Sequence, residues 1–121
     1  MLPLCPYDSC RLLAINLYSY VVNPFKPDAY FDFELFKKHV ALAQRIMDDI
    51  IDLELEKIER IMEKIDQDPE GEEVKHAERN LWNKIYKKSG QGRRTGVGIT
   101  AEGDMLAALG LRYGTEEATE F

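Results

Sequence analysis

The sequence has no run near the roughly 18 uncharged apolar residues that a membrane-spanning helix needs, and its start, MLPLCPYDSC, lacks the basic flank and apolar core of a secretory signal. A cytoplasmic location without a membrane partner is therefore expected. Cysteine is scarce. Cys5 and Cys10 are too few to staple a secreted scaffold, and they lack the second pair that a structural zinc site requires. His39 and His76 have no second ligand at matching spacing, so both are expected at the surface or its boundary and no metal site is expected. Positive charge is also in deficit: 16 Lys and Arg against 22 Asp and Glu give a net charge of -6. That balance opposes direct nucleic-acid binding, because a phosphate backbone is held by excess basic side chains. No internal repeat or low-complexity segment is visible.

What is present is enough for one domain: 121 residues, 45% of them hydrophobic and 10% aromatic. Residues 1–10 read as turn-like, with Pro3 and Pro6 fixing the backbone and Asp8 and Ser9 able to bond locally. After Arg11, the stretch LLAINLYSYVV is almost continuously apolar and rich in β-branched and aromatic residues, which predicts a strand over about 11–22 buried on both faces. The next strand is the short, glycine-spaced segment over about 95–100. Two such strands make a poor free-standing sheet, so the chain is expected to be a piece of something larger.

NPFKPDAYFD, residues 23–32, reads as a loop with Asp32 placed to cap the following helix. Phe36, Val40, Ala43, Met47, Ile50, Ile58, Ile61 and Ile65 recur at helical spacing. Near Asp52–Leu55 the wide apolar face gives way to a narrow stripe among Glu and Lys, which predicts a break or bend there. DQDPEG, 66–71, is a turn with Pro69 as the first residue of a second amphipathic helix running to about Lys88. The two charged helices predict a solvated, acidic hairpin over about 53–90, ended by Ser89-Gly90-Gln91-Gly92. Its carboxylates alternate with Lys and Arg, and nothing singles out a catalytic pair.

The most information-rich stretch is Arg93–Gly114. Lys84, Lys87, Lys88, Arg93 and Arg94 follow one another with no acid among them, either as favourable charge at a helix C-terminus or as a surface for a partner. Gly96 and Gly98 allow close backbone approach, and Thr100 is placed to cap the helix AEGDMLAAL, which ends at Gly110. A phosphate-loop reading fails, since the spacing fits no such fingerprint and Glu102 and Asp104 would repel the anion. Thr115 opens a last short helix, TEEATEF. In an extended segment the offset of five puts the Cys5 and Cys10 side chains on opposite faces, so a bond between them needs a turn. Cys5 is expected as a small buried filler. Cys10, entering the strand, would be rigidly held.

The blocks PYDSCRLLAINLYSYV (6–21) and GRRTGVGITAEGDMLAALGLRYGTEEA (92–118), with the helix FKKHVALAQRIMDDIID between them, closely resemble the catalytic subunit of ribonucleotide reductase, most of all its adenosylcobalamin-dependent class II branch. The resemblance implies an α/β fold: residues 1–121 as a helix-rich portion of the family's ten-stranded α/β barrel, the hairpin being an insertion. It implies reduction of ribonucleotides to deoxyribonucleotides for DNA synthesis by thiyl-radical chemistry. Cys10 matches a cysteine of the redox-active pair that becomes a disulfide, with its partner outside this chain, whereas Cys5 matches no family cysteine.

The family's thiyl cysteine lies in an Asn-x-Cys-x-Glu motif just upstream of the block matched by PLCPYDSC, and Met1 stands about where that glutamate belongs. The resemblance thus implies that the radical cysteine, the substrate-phosphate loop and the residues binding adenosylcobalamin lie outside these residues. The expected partners are the remaining reductase segments, a ribonucleotide and a thioredoxin-like reductant. The chain alone should not turn over, and it should self-associate through uncovered strand edges. The alternative is a non-enzymatic interaction module in which the acidic hairpin over 53–88 packs against a partner.

Overall fold

A computed structural model describes residues 3–121, and the position of Met1 relative to the family motif lies outside the described residues. In chain order the elements are β1 (Arg11–Asn16), a 3-10 turn (Leu17–Tyr20), β2 (Val21–Val22), β3 (Tyr30–Phe31), α1 (Phe33–Gln67), α2 (Glu72–Gly92), β4 (Thr95–Thr100), α3 (Glu102–Ala108) and α4 (Glu116–Glu120). Two two-stranded sheets form among the described residues, β1 with β4 and β2 with β3. The mixed, helix-rich composition is as expected; a closed barrel is not present in them. Contacts divide the chain into two compact units, one of residues up to Leu12 with Arg45–Gly96, the other of Leu13–Gln44 with Val97–Phe121.

The first unit is built on the hairpin. α1 runs unbroken through the predicted bend at Asp52–Leu55. Met47, Ile51, Ile58 and Ile65 are all buried at intervals of four and seven, so one apolar stripe continues past the acidic residues. Glu54 fills the stripe position between Ile51 and Ile58 and is neutralised there, which is why the face survives a charged residue. Bonds from Tyr86 to Glu59 at 2.7 Å and from Arg79 to Asp66 at 2.5 Å pair the helices in antiparallel order.

Both ends of α2 depart from expectation. Pro69 lies in the turn, where the Asp68 carboxylate accepts the Glu70 N–H at 3.3 Å, and the helix starts after Gly71. At the other end Ser89, Gly90, Gln91 and Gly92 remain helical. Ser89 is fully buried and its hydroxyl is committed to side chains, so it does not compete for the backbone. Arg93, in the left-handed conformation (φ 41°, ψ 48°), closes the helix with its N–H on the Ser89 carbonyl.

The second unit encloses Ile15, Leu17, Tyr20, Phe31, Ala43, Met105 and Leu106. The strand expected over 11–22 stops at Asn16, because Leu17 and Tyr20 are both buried in this cluster. An offset of three puts two side chains on opposite faces of a strand but on one face of a 3-10 turn. Nor is β1 buried on both faces: Leu12 is 80% exposed, and Ala14 and Asn16 are exposed while Ile15 is buried. The loop at 23–32 ends in a two-residue strand pairing Val21 with Phe31 and Val22 with Tyr30, antiparallel. Asp32 caps α1 by accepting the Leu35 N–H at 2.9 Å. At α3 the cap is Ala101 in the left-handed region (φ 59°), and Thr100 stays in the strand. Gly110, at φ 78°, ends that helix as expected, with the Leu111 N–H on the Leu106 carbonyl at 2.8 Å. Thr115 caps α4 by accepting the Ala118 N–H at 3.3 Å.

Candidate functional site

Cys10 stands one residue before β1, half-buried with a free thiol. The sulfur's contact with the Arg11 carbonyl, 3.9 Å, is a weak one. Across from it lies Gly96. A methyl group placed there would sit 3.8 Å from Cys10 Sγ, ordinary contact, and 2.8 Å from the end of the Leu12 side chain. Gly98 leaves room for a side chain. The close approach expected of both glycines therefore exists at Gly96 alone, and there against an exposed side chain that can swing away.

The thiol makes little of its own position, yet its flanks are held by charge. On one side Arg11 extends into the hairpin. Its Nε donates to Glu54 Oε2 at 2.5 Å, its Nη2 to Ser89 Oγ at 2.9 Å, and its Nη1 turns back to the Ser9 carbonyl at 3.1 Å. Nη2 also pairs with the second Glu54 oxygen, to which Ser89 Oγ donates at 3.2 Å. The Arg11 side chain is 9% exposed and Glu54 31%, so one guanidinium is largely dehydrated with all its fork occupied. On the other side Asp8, 3% exposed, accepts from Arg94 Nε at 2.5 Å and from the Ser9 N–H at 2.9 Å. The bond from Arg94 is the main reason its carboxyl is held below the usual carboxylate range, against the opposing effect of desolvation. The backbone closes the bracket with the Arg11 N–H on the Arg94 carbonyl at 3.1 Å.

The basic run has mostly inward duties. Arg93 donates to Asp52 at 2.7 Å and to Asp48 at 2.9 Å, a pair one turn apart on α1. These bonds lower the Asp52 carboxyl and raise the guanidinium, Asp52 acting on it most strongly and Asp48 next. Lys84 lies over the Tyr7 ring at 5.1 Å. Neither reading of the doublet Arg93-Arg94 as helix-end charge or partner surface describes these contacts, which tie strand to hairpin. The acids Asp8, Asp48, Asp52 and Glu54 stand in the sequence without any local sign of their partners, which lie 41 to 86 residues away.

Cys5 is exposed, not the buried filler expected. The turn it opens, with the Asp8 N–H on its carbonyl at 3.1 Å and Tyr7 at φ 65°, reverses the chain on the surface. That turn is the reversal a Cys5–Cys10 bond would require, yet both thiols are free. His39 and His76 are exposed as expected, His39 bonding Tyr20 through Nδ1 at 3.0 Å. No group of His, Cys, Asp and Glu able to hold a metal ion occurs among the described residues. No helix among them is long and apolar enough to cross a membrane.

Fold and site together define a thiol-bearing α/β chain, one cysteine at the mouth of a strand held between ion pairs. The family model for the ribonucleotide reductase barrel domain matches residues 3–121, and the chain belongs to that family. It is 31% identical over 118 residues to the vitamin B12-dependent ribonucleoside-diphosphate reductase of Thermoplasma acidophilum, covering 98% of this chain and 12% of that protein. A protein of the same description from Mycobacterium tuberculosis is 29% identical over 116 residues, 96% of this chain and 13% of that one. The chain thus spans about an eighth of the length of these relatives. No solved structure matches it.

Proposed function

We propose that this chain is a working part of the barrel of a vitamin B12-dependent ribonucleoside-diphosphate reductase, in which Cys10 is one thiol of the pair that reduces the ribonucleotide. In that reading two thiols give up two electrons and two protons and join as a disulfide, and the second cysteine comes from outside these residues. An external, thioredoxin-like dithiol in the cytoplasm returns the disulfide to two thiols by exchange. The radical cysteine also comes from other segments, so the chain alone does not turn over. The observation that carries the reading is the free, half-buried thiol of Cys10 at the start of β1, in a chain matching the barrel family from residue 3 to 121.

Cobalamin is assigned to those other segments. The apolar cavity of the second unit, about 510 Å³ and lined by residues such as Leu17, Phe31, Phe36, Met105 and Leu106, is of a size for a drug-like molecule and short of a corrin with its appended nucleotide. It presents Glu102 as its charged group and no histidine. No step of this chain's chemistry is routed through that cofactor. The reading of the hairpin as a partner-binding module is weaker, because Glu54, Asp48, Asp52 and Ser89 spend their polar groups on the segments next to Cys10 and on Arg93.

The test is complementation. Mixed with the remaining reductase segments, the chain should support deoxyribonucleotide formation, and Cys10→Ser should abolish the multiple-turnover reaction sustained by a dithiol. Turnover undiminished by Cys10→Ser would remove the redox role.

A further inference from the structure

Apart from its weak contact to the Arg11 carbonyl, the Cys10 thiol has no polar anchor among the described residues, while the residues on both sides of it are fixed by charge. Arg11 is central to this. Its Nη1 bond to the Ser9 carbonyl places the guanidinium one peptide from Cys10, and its Nε and Nη2 bonds place the same group on α1 and α2. Taking an arginine to 9% exposure is expensive and often stabilises less than an apolar pair of the same volume. Such a pair holds geometry more strictly than it adds stability, since each fork position admits one partner.

We infer that Arg11, Glu54 and Ser89 form a positioning cluster for the Cys10 thiol, through which the charged hairpin fixes the sulfur and sets the charge around it. The inference rests on the redox reading of Cys10 and adds to it: the hairpin is the scaffold of the redox cysteine. The charges facing the segment are Asp8 and Arg11 from the segment itself, Glu54 from α1 and Arg94 from just before β4. Ser89 of α2 contributes a hydroxyl, and Asp48 and Asp52 are taken up by Arg93. Arg11 and Glu54 are therefore opposite charges paired with each other, the guanidinium also bonded to the carbonyl of the peptide that leads into Cys10.

The experiment follows attack of the Cys10 thiolate on an aromatic disulfide, 5,5′-dithiobis(2-nitrobenzoate), which forms a mixed disulfide and releases one thionitrobenzoate anion. It uses the full chain with Cys5→Ser, so that Cys10 is the thiol read, and takes the rate as a function of pH. Arg11→Met should move the half-rate pH up by about half a unit and Glu54→Gln should move it down by a similar amount, as expected for one charge removed at moderate screening. Arg11→Lys keeps the charge and loses the fork. It should leave the half-rate pH in place and raise the limiting rate about threefold or more as the sulfur is released. Ser89→Ala should behave as Arg11→Lys does.

A merely structural cluster would shift Arg11→Met and Glu54→Gln in the same direction, or neither, and that result overturns the proposal. So does a limiting rate unchanged in both Arg11→Lys and Ser89→Ala. Circular dichroism identifies any variant that fails to fold, and the Glu54→Gln and Ser89→Ala arms then decide. The assay reads the thiol's surroundings without turnover. A cluster that governs the probe reaction in a chain whose Cys10→Ser variant still supports the reductase would leave the positioning intact and remove the redox role.

Discussion

Replacing Glu54 by leucine should be destabilising alone and nearly harmless in company. Glu54 occupies a position of the buried α1 stripe between Ile51 and Ile58, and its carboxylate balances an arginine that is 9% exposed. Removing one partner of a fully buried pair costs about 3–5 kcal/mol. Glu54 is 31% exposed, so water reaches the stranded guanidinium, and Ser89 and Ser9 still accept from it. About 2–3 kcal/mol is therefore expected for Glu54→Leu. Arg11→Met alone should cost about 1–2 kcal/mol, since the freed carboxylate can turn to solvent. In the double variant both charges are gone, the stripe becomes apolar from Met47 to Ile65, and the Ser89 hydroxyl can bond a carbonyl of its own helix. Its stability should lie within about 1 kcal/mol of the parent, a coupling of at least about 2 kcal/mol. Urea unfolding followed by far-UV circular dichroism gives all four values. Costs that add within about 0.5 kcal/mol would refute the reasoning.

Ile51, with 0% of its surface exposed, should lose about 3 kcal/mol on change to alanine, while its neighbour Ile50, 37% exposed, should lose under about 1, both read from the same unfolding curves. The lowered carboxyls of Asp8 and Asp52 contribute stability that is complete above the ordinary carboxylate pKa of 3.8 and is lost as pH falls through their lower folded values. Acid titration should therefore lower the stability of the chain below about pH 4, and an unchanged acid midpoint in Asp8→Asn with Asp52→Asn would contradict this. Thr115→Ala should fray α4, at a local cost of about 1 kcal/mol seen as faster amide exchange at Ala118. The free chain should self-associate with rising concentration in sedimentation velocity, given the exposure of Leu12, Phe25, Ile99 and Tyr113; a monodisperse, cooperatively melting monomer would contradict it.

Elements with their own local chemistry were legible. The Asp32 and Thr115 caps, the stop at Gly110 and the strand over 95–100 follow from residues within a few positions of each other. Three of the misreadings share a cause, since each depended on a partner distant in sequence. The break expected near Asp52–Leu55 came from reading Glu54 as solvated, and Arg11 lies 43 residues before it. The end of α2 expected at Ser89 came from counting serine and glycine as helix breakers. The buried Ser89 hydroxyl instead serves Arg11 and Glu54. The strand over 11–22 was read as one apolar run because composition does not show whether Leu17 and Tyr20 must face the same way, and the cluster they enter decides that.

The sequence offers Cys10 as a candidate residue and says nothing of the arrangement around it. Cys10 carried the family motif, but a motif names a thiol without saying what holds it. The acidic hairpin looked like the part furthest from chemistry, because alternating Glu, Asp, Lys and Arg is what a solvated helix shows. On such a helix the charges that matter are those that fall within the apolar stripe. Glu54 is one, set in the stripe between Ile51 and Ile58, and the basic doublet that opens the approach to β4 spends itself on Asp8, Asp48 and Asp52. Read in this way, the excess of acid over base in the chain is partly a set of sockets for Arg11, Arg93 and Arg94. What those sockets fix is the short segment from Asp8 to Arg11, in which the cysteine is the one side chain able to do redox chemistry.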